Sequence, residues 1–313
     1  LAGLGVNEKL APSAETPLAP IDRSYPANAL FAEANRLLPG KVASSQTSDL
    51  RSVLAPFTLR GFATGFAASA ADIGAQALVE LPDGSILASA GTLRNEVYRY
   101  DGDGGDFGRS GIRPLFTLDS PVLDLAVDTF GQLWVMSGAE LLQVDLASGA
   151  IVQRLQAPGG DPLTHALAID PQSGEIYVSS GQGIEVYNPT AAEPAQAWRH
   201  FSRQRVGDLA FAPDGRLWAV SWSGSELPGA AIDATTDLVS FPMIGRNIGR
   251  AELEYRLAGV IDSLAFGTVD SPLAGLLFAS SQLRQRSVRD GVGELPHQSG
   301  VAMIELASRR VVQ

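Results

Sequence analysis

Hydrophobic and polar positions along this chain fall into short bursts, and one burst returns five times. An apolar triplet leads into a turn with glycine, then into a run that carries a bulky side chain and ends in small residues. The copies run from Ala77-Leu78-Val79 to Gly84-Ser85-Ile86-Leu87-Ala88-Ser89 and from Leu125-Ala126-Val127 to Gly131-Gln132-Leu133-Trp134-Val135. They return from Leu167-Ala168-Ile169 to Gly174-Glu175-Ile176-Tyr177-Val178-Ser179 and from Leu209-Ala210-Phe211 to Gly215-Arg216-Leu217-Trp218-Ala219-Val220. The last runs from Leu264-Ala265-Phe266 to Gly275-Leu276-Leu277-Phe278-Ala279-Ser280. Short apolar runs bounded by Gly, Pro and Asp predict strands. The turns, such as Pro82-Asp83-Gly84 and Pro213-Asp214-Gly215, suit tight connections, with glycine supplying the positive φ.

The turn glycines at 84, 131, 174, 215 and 275 stand 47, 43, 41 and 60 residues apart. A period of this length built from strands alone is the mark of a β-propeller, one blade per repeat. Each repeat reads as four strands; in the second they are Val122 to Val127, Gln132 to Met136, Leu141 to Asp145 and Ile151 to Leu155. Leu87, Trp134, Tyr177, Trp218 and Phe278 share one repeat position, where a large side chain would fill the gap between blades. The predicted fold is therefore all-β, a propeller of four-stranded blades over 54–313. Its five repeats lie near 74–118, 122–157, 164–204, 206–258 and 261–313. The long last interval reads as an insertion from Ser223 to Glu254, which contains Asn247; it is either a loop on the binding face or a decorated hairpin.

Residues 1–53 differ from the rest. Pro12, Pro17, Pro20 and Pro26 predict an extended, irregular segment with one short helix. Asn28 caps that helix, Leu30, Phe31 and Leu37-Leu38 give it an apolar face, and Pro39-Gly40 stop it. It packs against the propeller or a preceding domain, or else belongs to a linker. Pro56-Phe57-Thr58-Leu59 resembles the outer strand Leu115-Phe116-Thr117-Leu118. A strand near Phe57 could thus complete the fifth blade and close the ring; alternatively, further blades follow Gln313. The start at Leu1 and the end within a repeat predict part of a larger polypeptide or assembly.

Composition narrows the function classes. The net charge is −11, with Lys9 and Lys41 the two lysines among 23 basic residues. Such a chain has no basic footprint for nucleic acid or anionic lipid. With 0 cysteines, disulfides, thiolate metal sites and cysteine nucleophiles are excluded. No apolar run approaches the roughly 20 residues that span a bilayer. Ala- and Gly-rich, Lys-poor usage points to a GC-rich bacterial source, and the lack of cysteine is compatible with an extracellular or envelope location.

Leu125-Ala126-Val127-Asp128-Thr129-Phe130-Gly131-Gln132-Leu133-Trp134-Val135 resembles the NHL-repeat pattern, and Leu167 to Val178 and Leu209 to Val220 follow it closely. The resemblance, over about residues 74 to 306, implies the propeller superfamily that includes gluconolactonase-like calcium enzymes, lyases, quinoprotein-like propellers and pure binding modules. The family's Asp after the first strand is present at Asp128 and Asp170, whereas Ala212 and Gly267 replace it later. Asp145-Leu146-Ala147-Ser148-Gly149 is similar to a quinoprotein-type turn, but Ile151-Val152-Gln153 stands where such blades place a tryptophan. That departure speaks against a quinone cofactor.

Innermost strands line a propeller's channel, so polar residues just before each Leu-Ala pair are candidates: Gln76, Asp124, Asp208 and Ser263, with His165 and Asp262 one position earlier. Their carboxylates could hold Ca²⁺ through oxygen ligands or supply an acid–base group of raised pKa. Alternatively, they accept backbone N–H groups of a neighbouring blade. Asp101, Asp103 and Asp106, alternating with glycine, form a second candidate calcium loop or a solvated hairpin. No Gly-x-Ser-x-Gly, His-Glu-x-x-His or phosphate-loop motif occurs, and His200 in Trp198-Arg199-His200-Phe201 reads as structural. The leading expectation is a binding or scaffold propeller that presents loops, Asn247 included, to a protein or glycan partner. The rival is a calcium-dependent hydrolase or lactonase using Asp124, Asp208, Asp262 and His165. An architectural domain of a large assembly is the third.

Overall fold

The computed structural model describes residues 25–38, 41–43, 52–58, 61–65, 69, 75–102, 104–106, 113–157, 162–193, 196–221, 235–244, 248–283 and 298–312. Their strands form five four-stranded antiparallel blades arranged as a propeller ring. Blade 1 comprises Leu78–Glu80, Ile86–Ala90, Glu96–Tyr100 and Phe116–Thr117. Blade 2 comprises Val122–Val127, Leu133–Ser137, Glu140–Val144 and Ile151–Leu155. Blade 3 comprises Leu163–Ile169, Ile176–Ser180, Gly183–Tyr187 and Trp198–Ser202. Blade 4 comprises Val206–Phe211, Leu217–Ser221, Thr235–Phe241 and Glu252–Ala258. Blade 5 comprises Val260–Phe266, Leu276–Leu283, Gln298–Glu305 and Arg310–Val312.

The second strands of blades 2, 3 and 4 are buried at every residue, which their unbroken apolar and small side chains permit only between two other sheets. Trp134, Tyr177 and Trp218 point into the groove shared with the next blade and join its core. Phe278, in the last of the described blades, meets the N-terminal helix instead. The stretch from Ser223 to Glu254 is not one insertion. It carries the third strand of blade 4 and the start of its fourth, which must be there to cover Trp218. Residues 222–234 and 245–247, with Asn247 among them, lie outside the described residues.

Ring closure also departs from expectation. The outer strand of blade 5 is Arg310–Val312, which pairs with Met303 to Glu305. Phe57 packs instead, with Leu54, against Phe31, Met303 and Val312. The one described helix, Ala29–Leu37, lies on that face of blade 5. Its cap explains why it stays there. Asn28 Oδ1 accepts the Phe31 N–H at 3.0 Å, and Nδ2 donates to the carbonyls of Pro272 and Ala274, both at 2.9 Å. The Asn28 N–H donates to Glu305 Oε1 at 2.7 Å.

Further along, Phe62 and Ala63 cover Tyr98 and Tyr100 on the open face of blade 1. The segment from Tyr25 to Thr64 thus touches both terminal blades. Inner strands of consecutive blades lie side by side from blade 1 to blade 5, whereas those of blades 5 and 1 make at most slight contact. Leu78 records the difference. Its counterparts Leu125, Leu167 and Leu209 are each 4% exposed and Leu264 is 9%, but Leu78 is 63% exposed.

Candidate functional site

Each inner strand of blades 2 to 5 enters the channel through a register shift against its second strand. Such a bulge leaves backbone N–H groups off the ladder, and they need acceptors. The chain uses two solutions in strict alternation. In blades 1, 3 and 5 a serine of the second strand accepts. Ser89 Oγ takes the Ala77 N–H at 2.9 Å, and Ser179 Oγ takes those of His165 and Ala166 at 2.9 and 2.8 Å. Ser280 Oγ takes that of Ser263 at 3.0 Å. In blades 2 and 4 Met136 and Val220 stand opposite, and the inner strand supplies an aspartate.

Those aspartates tie blades together. Asp124 Oδ1 accepts the Leu125 N–H at 2.8 Å, and Oδ2 accepts that of Leu167 in blade 3, also at 2.8 Å. Asp208 Oδ1 accepts the Leu209 N–H at 2.8 Å, and Oδ2 accepts that of Leu264 in blade 5 at 2.6 Å. Burial pushes both carboxyl groups up. Asp124 is raised well above its ordinary value by desolvation and then by the charge of Asp208. Asp208 is pushed up to about 7, chiefly by burial. Four N–H bonds oppose these shifts without cancelling them.

The remaining candidates sit elsewhere. Turn hydrogen bonds align Leu81 with Asp128, so Ala77, not Gln76, occupies the place of Asp124. Gln76 lies one residue nearer the mouth, level with His165 and Asp262, and all three are exposed. Gln76 Oε1 accepts from Arg94 Nη1 at 2.8 Å. Partial desolvation at the channel mouth, then the positive charge of Arg94, lowers the His165 pKa. Among the described residues no three His, Asp or Glu side chains gather closely enough to hold a metal ion. Asp103 and the side chain of Asp106 lie outside the described residues; Asp101 is exposed. The Asp101 carbonyl accepts the Gly104 N–H at 2.9 Å, and the Gly105 N–H donates to the Phe62 carbonyl at 3.0 Å, so the turn meets the N-terminal segment. His200, on the outer strand of blade 3, places Nδ1 2.9 Å from Oε1 of Glu185 on the third strand.

Sequence reasoning missed a cleft of about 530 Å³ between blades 3 and 4. Tyr177 forms its floor, edge-on to Phe201 and Phe211 at centroid distances of 5.1 and 5.3 Å. Arg199 Nη2 bonds Glu175 Oε2 at 2.5 Å on one wall, and Arg216 Nη2 bonds Ser240 Oγ at 2.7 Å on the other. Ile244, 89% exposed, and Ile248, 52% exposed, form an apolar rim.

No protein-family model and no curated protein matches this chain. Among solved structures 854 chains match, so the architecture is widespread and by itself selects no activity. One is Kuenenia stuttgartiensis hydrazine synthase, at 16% identity and a TM-score of 0.50, over 76% of this chain and 65% of that one. Another is a catalytically inactive virginiamycin B lyase from Staphylococcus aureus with quinupristin, at 11% identity and a TM-score of 0.45, over 76% and 68%. The hydrazine synthase match shows that the fold is shared, and the chain spans under two thirds of that protein. The class is therefore the β-propeller fold. No helix among the described residues is long and apolar enough to cross a membrane.

Proposed function

We propose that the protein is a non-enzymatic binding or scaffold propeller that presents the turns at its rim to a protein or glycan partner. The blade 3–4 cleft carries this reading: it joins an aromatic floor, paired charges and an exposed apolar rim, the composition of an interaction site. The axial carboxylates support it from the other side, because each of their four oxygens already accepts a backbone N–H. An extracellular or envelope location in a bacterium belongs to the same proposal. A photo-cross-linking residue placed in turn at Leu93, Phe130 and Ile244, all exposed, tests it in the native host. A discrete, saturable adduct from at least one position is expected; none from any would overturn the reading.

A second reading rests on the raised pKa values of Asp124 and Asp208, which would suit acid–base or calcium chemistry at the axis. Calcium titration by calorimetry separates the two. Heat and thermal stabilisation that vanish in Asp208→Asn would favour the metal-dependent enzyme.

A further inference from the structure

Two non-glycine positions among the described residues have a left-handed backbone, Arg94 at φ 57° and Arg309 at φ 58°. A Cβ disfavours that conformation, so the place it gives each guanidinium needs a reason. For Arg309 the reason lies within the chain. Its guanidinium stands over the Tyr255 ring at 5.0 Å, donates to the Glu254 carbonyl at 2.5 Å and reaches Glu254 Oε2 at 3.5 Å. Arg94, half-buried in the turn between the second and third strands of blade 1, is held differently. Its Nη1 donates to a neutral acceptor, Gln76 Oε1, at 2.8 Å. Arg99, Arg199, Arg216 and Arg256 each meet a carboxylate, but among the described residues none stands within ion-pair distance of Arg94.

The turn is pinned on both sides. The Arg94 N–H donates to the Gly91 carbonyl at 2.9 Å, and the Arg94 carbonyl accepts the Val122 N–H at 2.8 Å. Asn95 Nδ2 donates to the Leu118 carbonyl at 2.6 Å, and the Asn95 carbonyl accepts the Leu118 N–H at 2.9 Å. Blade 2 makes its own turn between these strands with Gly138, φ 58°, and so without a side chain. Gln76 fixes where the Arg94 side chain ends. The turn hydrogen bonds that align the inner strands put Gln76, Leu123, His165, Gly207 and Asp262 at one level of the channel mouth. Arg94 therefore reaches over the mouth from blade 1, and its charge is felt at His165 in blade 3. With Oε1 bonded to Arg94, the group Gln76 can offer a ligand is its donor Nε2. Guanidinium, amide and imidazole thus line the side of the mouth formed by blades 1 to 3. Leu123 of blade 2 stands between Gln76 and His165, and Gly207 adds no side chain from blade 4.

We infer that the channel mouth binds a small monocarboxylate, its oxygens on the Arg94 guanidinium, with Gln76 and His165 donating beside it and a short alkyl part against Leu123. The planar fork of a guanidinium matches a carboxylate through parallel N–H bonds, and a pinned turn presents it without reorganisation. The surrounding charge selects one negative group over two. Asp262 completes the same level from blade 5, Asp124 and Asp208 stand one residue deeper, and the whole chain carries −11. A dianion such as sulfate meets that field with twice the repulsion. The site lies on the axis and is separate from the partner surface proposed above, so either can stand without the other.

The test titrates sodium propionate into the isotope-labelled full chain at constant ionic strength and follows backbone amide shifts by NMR. Saturable shifts at Leu123, His165 and Gly207 are expected, with a Kd below about 10 mM. Propionamide, the uncharged isostere, and sulfate should each bind more weakly by about tenfold or more. Arg94→Gly gives the turn the residue type that blade 2 uses, so it should melt no lower than the parent. It should nevertheless bind propionate more weakly by about tenfold or more. Arg94→Lys keeps the charge without the fork and should fall between the two. Shifts that fail to saturate, equal shifts with propionamide or sulfate, or undiminished binding by Arg94→Gly overturn the assignment. Should Arg94→Gly fail to fold, Arg94→Lys decides, and binding as tight as the parent's overturns the assignment.

Discussion

Asp124 in blade 2 and Asp208 in blade 4 hold equivalent places, and each reaches forward to one backbone N–H of the blade that follows it. The device has a period of two blades. It bridges the 2–3 and 4–5 junctions, and because an alternation of two cannot close on five, the pattern must break once, between blades 5 and 1. There the serine type meets the serine type, Leu78 is left exposed, and the N-terminal segment covers the two open faces.

The axial pair predicts a pH dependence of stability. Asp208 has a folded pKa of about 7 against an ordinary 3.8, so folding favours the protonated form. The stability associated with it is full below about pH 4 and is lost as pH rises through about 7. Asp83 and Asp145 are lowered, so their contribution changes only below 3.8. His165 is lowered as well and acts oppositely, raising stability as pH climbs toward 6.5. Comparison with Asp208→Asn removes this titration and, with it, the charge that helps raise Asp124. The amide keeps one acceptor of two, so at pH 5 the variant should lose about 1–2 kcal/mol. The gap should close or reverse by pH 8. Urea melts across this range check it, and a gap that widens toward pH 8 contradicts it.

The serine solution is testable on its own. Ser179 is fully buried and serves two N–H groups at once, besides accepting from Thr164 Oγ1 at 2.7 Å. Ser179→Ala leaves those donors without an acceptor and should cost about 2–3 kcal/mol. Ser179→Thr, which keeps the hydroxyl, should recover part of that. Chemical denaturation of the two variants gives the comparison.

The fold was legible because turn glycines and apolar strand triplets must recur wherever a blade recurs. The axial alternation was half legible. Ser89, Ser179 and Ser280 against Met136 and Val220 can be read from the sequence, but matching on the Leu-Ala pair put blade 1 one residue out of step. Ala77-Leu78-Val79 aligns with Asp124-Leu125-Ala126 once the turn hydrogen bonds are known. The alternative that placed Phe57 in the outer strand of blade 5 fails because an outer strand and a segment packed on a blade's face show the same short apolar pattern. The blade 3–4 cleft had no local signal at all. Its lining residues are spread from Asp170 to Ile248 and meet only when blades 3 and 4 stand side by side.

The N-terminal helix is anchored through its cap. Asn28→Ala removes the acceptor for the Phe31 N–H and the donors to two turn carbonyls of blade 5. A loss of about 2–3 kcal/mol follows from a cap plus orphaned buried carbonyls. Hydrogen exchange should rise first in residues 29–37 and next in the third strand of blade 5, which Glu305 links to the Asn28 N–H. Uniform loss of protection across all five blades would contradict this.

The junction where the alternation breaks can be probed with leucines in equivalent positions. Leu167 lies in the core between blades 2 and 3, and its backbone N–H is the one Asp124 holds. Truncating it to alanine empties a packed site and should cost about 2–5 kcal/mol. Leu78 occupies the same place in its own repeat, but no neighbouring inner strand packs on it and more than half its surface is solvated. Leu78→Ala should therefore change stability by less than about 0.5 kcal/mol. If both substitutions cost the same, blade 5 would have to abut blade 1 in solution as the other blades abut one another. The N-terminal segment would then be an addition to a ring already closed, and deleting residues 25–65 would leave the propeller as stable as before.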